Sequence, residues 1–357
     1  MKVVKTITAK VFRPTVRKQR ALNVLWMSWK KALRLKHEYN YLRTKTGLPS
    51  YYCREISWKI KPGTDAPVGI PKDALSLKPG GPFAPWFASI PVLDGRIFVP
   101  LRMSRDHSRL LNECEVNDSL LIRRGNSYFL HIVVSKEIST PVIPSHAPVL
   151  AVDIGERVIA TSVMLIDGNI RFPSFHGREV RSIRRHYAWL RKQLGRRKLN
   201  HVIKRVGSSE HRKIDSRLHA IASSIVKQAK DLGAVIIIGD LYSIRSTSRG
   251  KRMNRIINAM PFHRLSTFIE YKALWSGVPL ISVDEAYTSC ECHICRQVGK
   301  RLSQGLFSCP TCGEYNADLN GAVNIGSRAL AYMAIAGASS TTPIRGTVLP
   351  QIQCDVT

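Results

Sequence analysis

Two cysteine pairs and the acids that flank them are the residues in this chain whose types and spacing point most directly to chemistry. Residues 284–325 read DEAYTSCECHICRQVGKRLSQGLFSCPTCGEYNADLNGAVNI. Cys292 with Cys295 and Cys309 with Cys312 form two CxxC pairs, the usual way of building a tetrahedral structural zinc site. Four protein thiolates leave no position open for water, so the expected role of that zinc is structural. Cys290 precedes the first pair as a CxC and is left unliganded. Glu285 before the cysteines and Asp318 after them offer oxygen instead, and carboxylates suit hard divalent ions such as magnesium. Soft ligands set between hard ones imply two kinds of metal with different jobs.

A third acid interrupts an apolar run. In VLAVDIGERVIAT, Asp153 follows residues that read as buried on both faces of a strand. A carboxylate buried there needs a partner, and a metal ion supplies one while keeping the acid ionised. The alternative is an aspartate serving the turn at Gly155. Asp318 lies in NADLNGAVNIGSRAL, whose apolar spacing predicts a helix from about Ala317. An acid in a first helical turn complements the helix dipole, so Asp318 gains meaning only from its place directly after the cysteine block.

The elements that must position these residues fall in two parts. Residues 2–11 alternate as an edge strand, and residues 17–42 carry Leu22, Leu25, Trp26, Trp29, Leu33 and Leu35 at helical spacing among basic residues. Prolines and glycines at 62–85 predict loops and short helices. Strands return at 96–101 and as a hairpin, 119–123 with 128–134, turning at Gly125-Asn126. Proline-rich residues 141–148 read as a linker. After it come strands at 149–154 and 158–165, a long helical stretch to Leu232, and a strand at 234–238, the mixture of an α/β domain. Beyond Ala338 no periodicity remains, and the tail reads as disordered.

The chain has 357 residues and is 44% hydrophobic, enough for two or three modules with cores. Its 55 Lys and Arg against 25 Asp and Glu leave a net charge of +30, which points to a polyanionic partner. Residues 178–217 are densely basic, and Arg181, Arg184, Arg185, Arg191, Lys192, Arg196, Arg197 and Lys198 are the candidate phosphate contacts. The other reading of that stretch is a solvated helical hairpin. No apolar run reaches the length that crosses a bilayer, and the first residues alternate instead of forming a signal-peptide core. Five of eight cysteines fall between 290 and 312, which suits a metal site in a reducing compartment. A cytoplasmic, nucleoid-associated protein of a prokaryote is the resulting expectation, with no membrane and no small-molecule substrate.

A strand-borne Asp, further acids on later strands and a last Asp on a helix resemble the RuvC-like branch of the RNase H fold, whose acids clasp two magnesium ions. AVDIGERVIAT, YTSCECHIC with SCPTCG, and NADLNGAVNI together resemble, in that order, the first RuvC motif, the zinc finger and the third RuvC motif of the TnpB family, the OrfB-type proteins of insertion sequences. The resemblance implies an RNase H-like α/β domain (149–288 and 316–335) with an inserted zinc ribbon (289–315). Before it the family has a small β-barrel-like wedge domain (1–14 and 91–140) interrupted by a helical recognition insertion (15–90). It also implies an RNA-guided DNA endonuclease of a transposable element, often labelled transposase, whose partners are a guide RNA from the element end and target DNA.

The chain departs from the family at one position. The family places a catalytic Glu at the end of its central strand, and here that stretch reads VIIIGDL, with Gly239 in the place of the Glu. Glu285 is the expected replacement, as in the rearranged sites of Fanzor relatives, giving Asp153, Glu285 and Asp318 as magnesium ligands. Asp240 is a second option, although a one-residue shift along a strand turns the side chain to the other face. A nuclease-dead guided repressor and a non-guided zinc-ribbon binding protein stay open beside the nuclease.

Overall fold

The computed structural model describes residues 1–139, 141, 143–144, 147–240, 261–285 and 288–336, with the side chains of Asp240 and residues 334–336 outside that description. The expected disordered tail therefore lies outside the described residues, apart from residue 336. The chain divides into two compact units, Met1–Ile138 and Ser139–Thr357.

The first unit is built on one antiparallel sheet. Its strands are β1 (Lys2–Val11), β2 (Val68–Ile70), β3 (Ser76–Gly81), β4 (Ala84–Val92), β5 (Gly95–Arg102), β6 (Glu115–Val116), β7 (Ser119–Arg124) and β8 (Ser127–Glu137). They run in the order β2-β7-β8-β1-β5-β4-β3, with β6 added on β8. Among the described residues no ladder joins β2 to β3, so the path is open at both ends. Helices α1 (Val16–Ala32), α2 (Tyr39–Thr46) and α3 (Ser50–Lys59) fill the connection from β1 to β2, and α4 (Arg105–Glu113) follows β5. Thr15 caps α1 by accepting from the Lys18 amide at 3.4 Å. Leu22, Leu25 and Trp29 recur at three- and four-residue spacing and are fully buried.

Two expectations change here. Lys2–Val11 is not an edge strand: it pairs with β8 through nine residues and with β5 at Lys10 and Val11. Its alternating burial reports which face is wet, and lateral neighbours leave no mark on that pattern. The helical insertion expected over 15–90 ends at Lys59, and residues 68–92 join the sheet instead. Pro79, Gly80 and Gly81 hide β3 from a periodicity search, although Pro79 pairs with Trp86 on β4. The Gly125-Asn126 turn holds, with Arg124 opposite Ser127.

The second unit carries β9 (Val149–Asp153), β10 (Ala160–Ile166), β11 (Asn169–His176), β12 (Val235–Asp240) and β13 (Leu280–Asp284) in the order β11-β10-β9-β12-β13. β9, β10 and β11 are antiparallel, whereas β9, β12 and β13 are parallel. Its helices are α5 (Arg178–Arg196), α6 (Asn200–Asp231), α7 (Phe262–Ser276) and α8 (Ala317–Ala336). β11 belongs to a stretch where only helix was expected. The signal was present: Asp167 and Gly168 both take positive φ, 50° and 76°, the Asp-Gly turn that closes a two-residue hairpin.

Each face of the five-stranded sheet has its own core. Leu150, Val152, Ile236 and Ile238 pack with α6 and α7. Val149, Ala151, Val235, Ile237, Ile281 and Val283 pack with Ala322, Val323, Ile325 and Ala329 of α8. Ile143 and Ala147 join that second core, so the end of the proline-rich segment is docked on the sheet. A small sheet, β14 (Lys300–Ser303), β15 (Leu306–Cys309) and β16 (Gly313–Asn316), precedes α8. No described helix is long and apolar enough to cross a membrane.

Candidate metal centres

Pleat alternation puts Asp153 and Glu285 on one face of the sheet. On the three parallel strands the α8-facing rows are 149-151, 235-237 and 281-283, and the next residue in each row is Asp153, Gly239 or Glu285. Ile238 pairs with Val152, so one step on Gly239 lies level with Asp153, and Gly239 itself pairs with Val283. A side chain on residue 239 would therefore project beside Asp153.

Glu285 occupies that space. A Cβ built on Gly239 would fall inside the Glu285 carboxylate, with Oε1, Cδ and Cγ as its nearest atoms. Oε1 is shielded from solvent. The neighbouring Asp284 has the opposite pleat parity and is exposed. The end of β13 is tied to α8 on both sides of residues 286–287: Arg328 donates to the Asp284 carbonyl at 2.7 Å, and Asn324 donates to the Thr288 carbonyl at 2.8 Å. Thr288 in turn donates its hydroxyl to the Glu285 carbonyl at 2.9 Å. Asp240, the second option for the missing ligand, has a side chain outside the described set.

Asp318 enters from α8. Asn316 caps that helix, accepting from the amides of Asp318 at 3.0 Å and Leu319 at 2.9 Å. One turn on, Gly321 passes so close to β9 that a Cβ there would stand 2.8 Å from Asp153 Oδ2. The absence of a side chain at 321 is what lets α8 lie over Asp153. Asp318 is 6% exposed and accepts from Arg301 of β14 at 2.6 Å. Neither the charge nor the spacing of KRLSQ singled out Arg301.

Burial, then the charge of Asp318, push the Asp153 carboxyl up to about 7, against the opposing pull of Arg301. Burial also raises Asp318, with Arg301 pulling it down. Two acids packed into one low-dielectric place resist joint ionisation, and a divalent cation relieves that repulsion. Asp153 and Asp318 therefore fit a hard, oxygen-seeking ion such as magnesium.

A pH dependence follows for the metal-free protein. A carboxyl whose folded value lies above its unfolded value near 4 keeps a proton in the folded state that the unfolded chain sheds. Stability is then full below about pH 4 and declines as pH rises through about 7. The decline amounts to at most about 4 kcal/mol. Asp153→Asn is expected to flatten that decline and to melt higher than the parent at pH 8 in chelator. Parallel pH–melting curves for the two proteins that stayed superimposed would contradict it.

The four thiolates converge as their spacing predicts. The Sγ atoms of Cys292, Cys295, Cys309 and Cys312 lie within 4.8 Å of one another, near the ~3.8 Å edge of a tetrahedron with 2.3 Å zinc–sulfur bonds. Cys290 is not in the cluster. Burial raises the Cys292 thiol, but amide donors from Cys295 and Ile294 and the Tyr315 hydroxyl at 2.6 Å outweigh it and bring it down to about 6. Such donors around a thiolate are the outer support usual at metal ligands. The cluster is bound to α8 through two buried amides. Asn320 accepts from the His293 amide at 2.9 Å, and Asn320 and Asn324 donate to the Glu291 carbonyl at 2.8 and 2.7 Å.

The basic stretch divides by role. Arg181 pairs with Glu156 at 3.1 Å, Arg191 pairs with Glu210, and burial lowers the half-buried Arg184. Those three hold α5 in the domain. Arg185, Lys192, Arg196, Arg197 and Lys198 are exposed and can meet phosphates.

The chain is similar in sequence and in fold to known proteins. Residues 262–325 match the Cas12f1-like, TNB domain family. A TnpB-like protein of Methanocaldococcus jannaschii is 27% identical over 190 residues, covering 51% of this chain and 68% of its own length. The CRISPR-associated endodeoxyribonuclease Cas12f2 of a Micrarchaeota archaeon is 30% identical over 241 residues, covering 62% of this chain but only 44% of its own length. In fold, the chain is similar to a C2c1 chain from an AacC2c1–sgRNA–extended non-target DNA ternary complex. That match has a TM-score of 0.50 at 10% identity, covering 76% of this chain and 55% of that one.

Proposed function

Because the chain belongs to the TnpB family of RuvC-like nucleases, we propose that it is an RNA-guided, magnesium-dependent DNA endonuclease of a transposable element. In this reading Asp153, Glu285 and Asp318 hold two magnesium ions. Ions held there would supply an activated water and stabilisation of the leaving oxygen in phosphodiester hydrolysis. The carboxylates supply the ligand atoms, and Arg301 opposes the burial that raises the Asp318 carboxyl. Zinc on the four cysteines is structural, and the ribbon it closes carries Arg301 to the acids.

The observation that carries the reading is the Glu285 carboxylate lying over Gly239. With Gly239 alone, a guided binder that cuts nothing would be the better conclusion. With Glu285 in that space, the sheet end regains a third acid level with Asp153. The relatives support the substrate: one is named an endodeoxyribonuclease, and the C2c1 chain is bound to guide RNA and DNA. A guide from the element end would supply sequence by base pairing, while the protein holds the backbone. The charge of +30 suits a protein that must neutralise both a structured RNA and a heteroduplex. The expected setting is the cytoplasm, at the nucleoid.

The test expresses the protein with its flanking DNA, sequences the co-purifying RNA, and assays cleavage of a matched target with and without magnesium. A defined RNA and magnesium-dependent cutting are expected. RNA without cutting would leave the guided repressor, and neither would leave a zinc-ribbon binding protein.

A further inference from the structure

The groove between α5 and α6 lies outside the acids and the thiolates, and its lining has the chemistry of a backbone clamp. It encloses about 680 Å³ and is lined by Ile183 of α5 with Ser209, Arg212, Lys213, Ser216 and Arg217 of α6. The five α6 residues recur at spacings of three and four and so form a single stripe. From Ser209 to Arg217 the stripe runs about 12 Å at 1.5 Å per residue. At about 3.4 Å of axis per phosphate, that length spans three to four phosphates of one strand.

The charge of the stripe is left uncompensated by the helix that carries it. Glu210 and Asp215, the acids of α6 beside it, are taken by Arg191 and by Arg264 of α7. Among the described residues, Arg212, Lys213 and Arg217 have no acid within ion-pair distance, and all three are exposed. Their positions are held locally: Arg212 donates to Ser209 Oγ at 3.0 Å, and the Lys213 ammonium stands 5.3 Å over the Tyr187 ring. None of the residues that line the groove is aromatic, and the Tyr187 ring beside it is buried. Cations alternating with hydroxyls, without a stacking platform, read a backbone and not bases.

We propose that this stripe binds the sugar-phosphate backbone of RNA, with Arg212, Lys213 and Arg217 on phosphates and Ser209 and Ser216 on ribose 2′-hydroxyls. Pairing Ser209 and Ser216 with 2′-hydroxyls commits the site to RNA, because a 2′-hydroxyl both donates and accepts and only RNA has it. This site rests on the guided-nuclease reading for its physiological strand, but its binding step needs neither the acids nor magnesium.

The experiment uses the full chain in chelator, with an RNA hairpin and the DNA hairpin of the same sequence as probes, titrated over a range of salt. Arg212→Ala with Arg217→Ala is expected to weaken RNA binding roughly tenfold and to reduce the log–log salt slope by about 1.5–2. Ser209→Ala with Ser216→Ala is expected to weaken the RNA hairpin more than the DNA hairpin, which loses only the hold of Ser209 on Arg212. An unaltered RNA affinity and slope for the arginine pair would overturn the site. An equal loss on RNA and DNA for the serine pair would overturn its assignment to RNA. All four positions are on the surface or its margin, and melting temperatures equal to the parent's confirm that the variants fold. A protein that passes these tests yet cuts nothing with magnesium would fail only the nuclease reading.

Discussion

Gly239→Glu is expected to restore cleavage to a Glu285→Ala protein. Glu285→Ala alone is expected to cut matched DNA on the order of 10³-fold more slowly, about 4 kcal/mol of transition-state stabilisation, while binding nucleic acid as the parent does. The rescue follows from register. Residue 239 is level with Asp153 on the adjacent parallel strand and belongs to the row that faces α8. Adjacent strands lie about 4.8 Å apart, so a glutamate at 239 starts closer to Asp153 than Glu285 does. Gly239 has no positive φ, and the backbone accepts a side chain there once Glu285 is shortened. With Glu285 present it does not: Gly239→Ala drives a methyl group into the Glu285 carboxylate and is expected to lose most activity by itself. Adding Gly239→Ala to Glu285→Ala should then cost little more, the non-additivity of two groups that compete for one space. Full cutting by Glu285→Ala would remove that residue from the site. A folded, nucleic-acid-binding exchange variant that stays dead would show that position 239 does not face the reacting phosphate.

Parts of this site are legible in the chain and parts are not, for identifiable reasons. Asp153 declares itself because a carboxylate ends a run of fully buried residues, and the structure extends that run to the end of β9. Asp318 is legible as a first-turn acid, and the CxxC pairs as a thiolate cluster, because both signals are local. Glu285 is legible only through what Gly239 lacks, and its reach across the strand end depends on pairing of β12 with β13, which no local pattern encodes. Arg301, Thr288, Asn320 and Asn324 escape notice altogether. Each acts across 17 to 36 residues of sequence, and an arginine on a short exposed strand or an asparagine on a helix looks like any solvated polar residue. The same limit explains β1: alternation revealed its faces but not its neighbours.

Stripping the zinc, by chelation or by Cys309→Ala with Cys312→Ala, is expected to melt the ribbon, to abolish cleavage and to leave the five-stranded sheet folded. The apolar core of the ribbon consists of Cys292, Phe307, Cys309 and Ala317. So few residues do not fold a module of this size without a staple, and structural zinc supplies on the order of 10 kcal/mol in such modules. The sheet has two separate cores on its two faces, and neither includes a thiolate. The damage therefore spreads by particular bonds. Loss of the ribbon takes Arg301 from Asp318 and takes the Glu291 carbonyl from the buried amides of Asn320 and Asn324. Each buried amide left without a partner costs about 1–3 kcal/mol, a cost that falls on α8, the helix that carries Asp318. The Thr288–Asn324 bond that holds the Glu285 carbonyl from the other side lies in the same network. Zinc removal should accordingly loosen two of the three acids without touching any of them. Proteolysis should cut within residues 296–308 while far-UV circular dichroism changes little and the sheet still melts cooperatively. A zinc-free protein that cuts matched DNA at the parent's rate would separate the ribbon from the acids and leave the thiolates without a part in the reaction.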